Sequence, residues 1–417
     1  MGLKMFELCI FDLDNTLIHT DDLKEIRENL ANNEDEDTLD DLLEALNEDD
    51  ERIIYSQELI QEVIYRFPNI LLAIFTRSPR SYTEAVLAWA YPEIEWDILI
   101  CYEDVKPTKP SGKGIHDAMD KLGIDNLNQV IMIGDADIDI KAAYNAGCFA
   151  VLDQSGWPYR YAPEHWNALN LIPDAIINNP EKLLDVLDEP CQFLPSLECL
   201  LDSNLIASKR FDKVNHFIPK AIGGDATSFP IYSAGRNFSN YDSLRYKKQG
   251  HSLTVSIDDN KSSTEFPTEW INSLREFLCS ECVDFFWETT TIITSVPHRP
   301  GRIPRLEHLL NQLMISLTDD PIEHCNVILV PDLLAYRDGV RSQHGEHLNH
   351  GDRFMNVRDH LVTSNVSKLA LADKVLVIDD VVTTGASLIY ASKFLKDAGA
   401  QKVILFALAK NISDVLR

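Results

Sequence analysis

No apolar run in the 417 residues is long enough for a membrane-spanning helix, which needs ~20 residues. Basic side chains are scarce: 38 Lys and Arg stand against 66 Asp and Glu, a formal net charge of -28. That balance excludes the broad basic face of a nucleic-acid binder, though not a local cationic pocket for phosphates. The eight cysteines are scattered with one close pair, so a disulfide framework is excluded. A strand opens almost at the first residue, so no signal peptide is expected. These absences lead us to expect a soluble, cytoplasmic protein, and the length suggests two or three domains.

What is present begins with Phe11-Asp12-Leu13-Asp14-Asn15-Thr16-Leu17. The apolar Leu8-Cys9-Ile10-Phe11 before it reads as a buried strand. At the C-terminal end of a parallel strand, Asp12 and Asp14 project into the crevice where open α/β sheets bind ligands. Two carboxylates ~4 Å apart repel by about 4 kcal/mol at an effective dielectric of ~20. A divalent cation relieves that repulsion, and oxygen ligands suit Mg²⁺. A carboxylate so placed can attack phosphorus.

The heptapeptide resembles the first motif of the haloacid dehalogenase-like (HAD) phosphohydrolases, and three later stretches match that family's order. Ile70 to Phe75 reads as a strand that ends at Thr76, whose hydroxyl can hold a phosphoryl oxygen. Lys106-Pro107 and Lys109-Pro110 offer two lysines, and the following Gly114-Ile115-His116-Asp117 run selects Lys109 as the family's charge-neutralising cation. Val130 to Ile133 is a third strand, ending in Gly134-Asp135-Ala136-Asp137-Ile138-Asp139. The resemblance implies a Rossmannoid parallel sheet over about residues 5–188. It implies Asp12 as nucleophile, Asp14 as acid and base, and Thr76 and Lys109 as phosphoryl holders. Mg²⁺ would sit on Asp12, Asp14 (through its backbone carbonyl) and Asp135, with Asp139 behind them.

Residues 19–52 read as an insertion after the first strand. Its later half is acidic, from Glu34, Asp35, Glu36 and Asp37 through Glu48, Asp49, Asp50 and Glu51. Leu39, Leu42, Leu43 and Leu46 recur at helical spacing, so one or two helices with a solvated acidic face are expected. Two roles stay open: a plain helical insertion, or a small cap over the active site. The acidic face could also dock a protein partner.

From 189 to 229 no periodicity is sustained, and a linker is expected there. Arg236, Arg245, Lys247 and Lys248 then suggest a modest basic patch. A helix is expected over 268–286, with Trp270, Ile271, Leu274, Phe277, Leu278, Cys282 and Phe285 as its apolar stripe. Cys279 and Cys282 on it supply only two ligands for a metal, so packing is the expected role.

The second chemical motif is Val375-Leu376-Val377-Ile378-Asp379-Asp380-Val381-Val382-Thr383-Thr384-Gly385-Ala386-Ser387. A strand ends in two carboxylates suited to ribose hydroxyls. A Thr/Gly/Ser turn then opens a helix whose backbone N–H groups suit a phosphate. This resembles the phosphoribosyl pyrophosphate (PRPP) motif of type I phosphoribosyltransferases. The resemblance implies a second α/β domain over 230–417, with Asp379, Asp380, Thr383, Thr384, Gly385, Ala386 and Ser387 binding PRPP. The 230–410 stretch is more narrowly similar to the ComF family. Pro297, His298 and Arg299 would form its pyrophosphate loop, and Gln343, Arg353 and Asn356 fall where that family has a Gln, an Arg and an Asn. Its zinc ribbon is missing, and its Arg-Gly-Phe-Asn-Gln run is degraded to Arg305-Leu306-Glu307-His308.

The expected protein is a two-domain α/β enzyme, a Mg²⁺-dependent phosphatase joined to a phosphoribosyltransferase. Its partners would be a small phosphate ester and PRPP. It could make a nucleotide and strip it to a nucleoside. The second domain could instead sense PRPP or a nucleotide and regulate the phosphatase, or the chain could be a partner-dependent stress or defence protein.

Overall fold

Leu8-Cys9-Ile10-Phe11 forms strand β1 (Leu8–Phe11), and none of its four side chains is exposed. A run apolar on both faces is the signature of an interior strand in a parallel sheet. In the computed structural model the described residues are 6–32, 36–48, 50–158, 163–203, 208–224, 226–284, 286–341 and 348–416. Glu34, Asp35, Asp49, Phe285 and Gln343, named above, lie outside them. The chain divides into two units: 1–193 with 238–251 and 413–417, and 194–237 with 252–412.

The first unit holds β1, β2 (Leu71–Phe75), β3 (Ile98–Ile100), β4 (Val130–Gly134), β5 (Phe149–Asp153) and β6 (Ala175–Ile177) in the order β3-β2-β1-β4-β5-β6. All neighbours are parallel. Phe11 pairs in register with Ile74 on one side and Ile133 on the other. The residues just beyond these strands, Asp12, Thr76 and Asp135, therefore emerge along one edge, where the chain order switches direction. Residues 19–52 form α1 (Lys24–Asn32) and α2 (Glu36–Asn47) with short 3-10 turns on either side. Leu42 and Leu46 are buried in the core as the spacing requires, with Leu39 packed against it, while Leu43 stays 40% exposed.

The second unit is a sheet in the order β11-β10-β14-β15-β8-β7. Its strands are β7 (Asp212–His216), β8 (Phe229–Ser233), a short β9 (Arg236–Phe238), β10 (Thr289–Ser295), β11 (Cys325–Leu329), β14 (Lys374–Val382) and β15 (Lys402–Ile412). β10, β11, β14, β15 and β8 run parallel, and β7 closes one side antiparallel to β8. β12 (Leu334–Tyr336) and β13 (Leu361–Thr363) form a separate antiparallel pair. Alternate residues of β14 feed two cores, Val375 and Val377 on one face, Leu376 and Ile378 on the other.

Three expectations need correction. The 189–229 stretch is built structure: it carries a helix at Ser196–Ser203 and the strand β7. β7 has one buried apolar residue, Val214, among Asp212, Lys213, Asn215 and His216. An edge strand of that composition leaves no periodic trace. The helix expected over 268–286 ends at Glu281, where the Cys282 amide closes on the Leu278 carbonyl and the Asp284 side chain accepts from Phe286 N in a turn. Two of the four residues expected in the basic patch are spent on ion pairs. Arg236 is fully buried and ion-paired with Glu198, and Lys247 is paired with Asp174.

Candidate active sites

In the first unit Asp12, beyond β1, is only 8% exposed. Lys109 Nζ lies 2.5 Å from Asp12 Oδ1 and 2.7 Å from Asp139 Oδ1. Asp139 also accepts from its helix-capping neighbour, Ala136 N, at 3.1 Å, which fixes the carboxylate toward the lysine. Gly134 is required beneath it, because a Cβ there would stand 2.4 Å from Asp139. One oxygen from each of Asp12, Asp135 and Asp139 falls within 4.8 Å of the others. Thr16 Oγ1 donates to Asp135 at 3.3 Å.

The electrostatics follow from burying several carboxylates beside one cation. Asp12 is pushed up to about 7, chiefly by burial, with Asp139 and Asp14 adding to the rise and Lys109 opposing it. Asp135 is held well above the usual carboxylate range by burial and by Asp139 and Asp12. Burial alone would pull the Lys109 ammonium down, but Asp12 and Asp139 outweigh it and hold it above its ordinary value. Three oxygen donors with one lysine between them suit a hard divalent cation. This donor set fits Mg²⁺.

Asp14 is organised differently. Thr20 Oγ1 donates to its Oδ1 at 2.7 Å, Tyr82 OH at 3.1 Å, and Arg27 of α1 pairs with it at 2.8 Å. Ser78 Oγ donates to Oδ2 at 2.5 Å, and Thr76 Oγ1 reaches the same oxygen at 3.5 Å. Around both aspartates opens a cavity of ≈ 900 Å³, whose walls include Lys24 and Arg27 of α1 and the stacked rings of Trp157 and His165. The insertion thus stands at the site and lines it with Asp21, Lys24, Arg27 and Glu28.

In the second unit β14 runs through Asp379 and Asp380 to Val382, past the point where the sequence suggested its end. Gly385, at φ 76°, then starts the helix Ala386–Asp397. A left-handed residue at that turn favours glycine. Asp380 N donates to Asp379 Oδ1 at 2.9 Å and Val381 N to Asp380 Oδ1 at 2.8 Å. Burial, then the neighbouring Asp380 charge, raises Asp379 well above the carboxylate range. Both aspartates line a cavity of ≈ 460 Å³ with Pro297, His298 and Arg299.

Residues 21–152 match the family model of haloacid dehalogenase-like hydrolases, and residues 303–417 match that of the phosphoribosyl transferase domain. The chain carries a HAD-like hydrolase domain and a phosphoribosyltransferase domain. Among solved structures, the hydrolase domain is similar to a predicted phosphoglycolate phosphatase from Haemophilus somnus 129pt (19% identity, 44% of this chain and 99% of that one, TM-score 0.35). It is also similar to a 2-haloacid dehalogenase from Pseudomonas syringae pv. Tomato DC3000 (19% identity, 44% and 98%, TM-score 0.27). No curated protein matches the chain.

In the hydrolase domain, Asp12, Asp14, Thr76, Lys109, Asp135 and Asp139 all converge on one cavity. The carboxylate of Asp14 lies outside the three-oxygen cluster, leaving its backbone carbonyl as the donor expected of it. In the phosphoribosyltransferase domain, the cavity takes in the two aspartates and the 297–299 loop, while residues 383–387 are not among its walls. Of the turn residues, Ser387 Oγ instead meets Tyr336 OH at 3.2 Å. Arg353 and Asn356 lie on the helix His350–His360, where Asn356 exchanges hydrogen bonds with the Arg341 backbone. Sequence reasoning missed Arg27, Ser78 and Tyr82 around Asp14. Ser78, two residues past Thr76, carried a weak local signal; Arg27 sits on the insertion and carried none. It also missed Arg305, whose Nη1 pairs with Asp380 Oδ2 at 2.9 Å.

Proposed function

We propose that the chain is a bifunctional enzyme, a Mg²⁺-dependent phosphomonoesterase and a PRPP-dependent phosphoribosyltransferase. The observation that carries the first activity is the Asp12–Lys109–Asp139 line with Asp135 beside it. Asp12 attacks phosphorus and forms an aspartyl-phosphate, and Lys109 neutralises the nucleophile and the phosphoryl oxygens around it. Asp14 gives a proton to the leaving oxygen and then takes one from the attacking water. Thr76 donates to a phosphoryl oxygen, and Asp139 keeps Lys109 in place. Asp12, Asp135 and the Asp14 carbonyl would hold Mg²⁺, with Asp139 behind, and the cation would supply positive charge against the phosphoryl oxygens.

In the second domain, Asp379 and Asp380 accept the ribose hydroxyls of PRPP. The 383–387 turn holds the 5′-phosphate at the N-terminus of the helix Ala386–Asp397. Pro297, His298 and Arg299 take the pyrophosphate. The convergence of that loop with both aspartates on one cavity supports this reading.

One observation favours a second reading of this domain, as a PRPP or nucleotide sensor. Arg305, in the degraded run, occupies Asp380. Two measurements test the proposal. Hydrolysis of an aryl phosphate should vanish in Asp12→Asn, and retained turnover by the pure variant would remove Asp12 as nucleophile. Wild type should consume PRPP with at least one base of a broad panel. Binding of PRPP without consumption of any base would leave the sensor reading in its place.

A further inference from the structure

The phosphoribosyltransferase cavity contains a contact that its motif does not predict. Arg305 opens the helix Arg305–Asp319 and lines the cavity. Its Nη1 donates to Asp380 Oδ2 at 2.9 Å, and Val381 N already occupies Asp380 Oδ1 at 2.8 Å. Both oxygens of the carboxylate meant for a ribose hydroxyl are therefore engaged. Phe266 lies under the guanidinium, with the ring centroid 5.8 Å away, and this limits the planes in which it can turn.

The cavity also shows where the arginine could go. Arg305 Nε is buried with no hydrogen-bond partner among the described residues. Ser295 Oγ, on a residue 1% exposed at the end of β10, is likewise buried and unpartnered among them, and Ser295 is a cavity wall. Lys261, Arg299 and Arg302 stand around the same space. The first turn of the helix Arg305–Asp319 faces it too, adding partial positive charge. Glu307, Asp379 and Asp380 line the cavity as well, so its four cations exceed its carboxylates by one; with an orphan hydroxyl and an orphan guanidinium N–H at the same place, the space suits an anion.

We propose that Arg305 couples the two halves of the PRPP site: an anion at the 296–302 loop draws it off Asp380, and the freed carboxylate then accepts the ribose. This rests on the PRPP reading of the domain. The consequence is reciprocal. If pyrophosphate strengthens ribose 5-phosphate binding by some factor, ribose 5-phosphate strengthens pyrophosphate binding by the same factor. PRPP, which presents both groups at once, is then selected over either fragment. Arg305 acts as a positioning residue: it decides when Asp380 is available.

The test uses the full chain in Mg²⁺ buffer and isothermal titration with inorganic pyrophosphate, ribose 5-phosphate, and each in the presence of the other. Wild type should bind ribose 5-phosphate about fivefold or more tightly when pyrophosphate is present, within the usual range for coupled sites. Arg305→Met keeps the stem over Phe266 and removes the charge. It should weaken pyrophosphate about tenfold, bind ribose 5-phosphate as tightly as wild type or more so, and show no coupling. Equal weakening of both ligands, or coupling that survives in Arg305→Met, would overturn the proposal. Arg305→Lys, with a charge that cannot form the same fork, should restore pyrophosphate binding more than coupling. If it restores neither while melting as wild type does, the charge is not what the anion reads and the proposal fails. Wild type that binds neither fragment nor PRPP would sink the PRPP reading itself, a result distinct from binding without coupling.

Discussion

Lys109 is buried between two carboxylates, with its own side chain 1% exposed and that of Asp139 likewise. Removing one partner from such a cluster leaves uncompensated charge in a place water does not reach. The typical cost is about 3–5 kcal/mol. Lys109→Met should therefore lose phosphatase activity and also unfold earlier in urea, most clearly in chelator, where no cation offsets Asp12 and Asp139. Unchanged urea stability would mean that the carboxylates neutralise themselves by taking up protons. The lysine was legible in sequence because the helix after it, Gly114 to Met119, told it apart from Lys106. The four aspartates were legible because each follows a strand end or opens the next helix. Arg27, Ser78 and Tyr82 were not, because a side chain that reaches Asp14 from another element leaves no spacing in the chain. Arg305 was visible only as a departure from a pattern, and a departure does not say what the residue touches.

The segment 238–251 belongs to the hydrolase unit although it lies some distance beyond the last strand of that unit's sheet. Lys247 Nζ reaches Asp174 Oδ2 at 2.7 Å and the Cys148 carbonyl at 3.0 Å. Phe238 meets Tyr144 edge-on at 5.2 Å, and Asn145 Nδ2 donates to the Ser243 carbonyl at 3.1 Å. Lys247→Ala should lower stability by about 3 kcal/mol, because the buried Asp174 carboxylate loses the cation that faces it. A chain cut at residue 193 should melt well below full-length protein by the hydrolase transition in calorimetry, and equal melting would show that the segment adds nothing. A linker and a basic patch were expected where this segment and its neighbours lie, since buried charges on short elements resemble solvated ones in a sequence. The strands with unbroken apolar runs, β1, β2 and β4, were placed to within a residue, because a strand buried on both faces has no other composition available. β15 carries a further signal. Burial pulls the Lys410 ammonium down to about 8. The unfolded chain keeps that proton up to its ordinary value near 10.5, so between the two values the unfolded state binds more protons and stability rises with pH. Lys410→Met removes the effect. The variant should melt above wild type at pH 7, and the gap should close as pH rises from 8 toward 10; a gap independent of pH would assign the change to packing.

With a formal net charge of -28, the chain repels most phosphate esters at long range. The hydrolase cavity sets Lys24, Arg27, Arg77 and Lys109 against Asp12, Asp14, Asp21, Glu28, Asp135 and Asp139, an excess a divalent cation would offset; the other sets Lys261, Arg299, Arg302 and Arg305 against Glu307, Asp379 and Asp380. Screening over a Debye length of ~8 Å at physiological salt lets these local fields govern binding. A phosphoribosyltransferase releases a 5′-phosphate monoester, and a HAD-like hydrolase consumes one. The reverse order makes less chemical sense, since dephosphorylating PRPP first would destroy the donor's own handle. Trp157 and His165, their rings stacked on each other 3.8 Å apart, also line the hydrolase cavity. We therefore expect base, nucleotide and nucleoside to appear in that sequence on this one chain. Wild type supplied with PRPP, Mg²⁺ and a panel of bases should yield a nucleoside, followed by mass spectrometry. Asp12→Asn should stop one step earlier and accumulate the nucleotide, at an unchanged rate of PRPP consumption, because the substitution touches only the hydrolase cavity. If wild type and variant give the same product, the two activities do not act in series, and the phosphatase serves an ester made elsewhere.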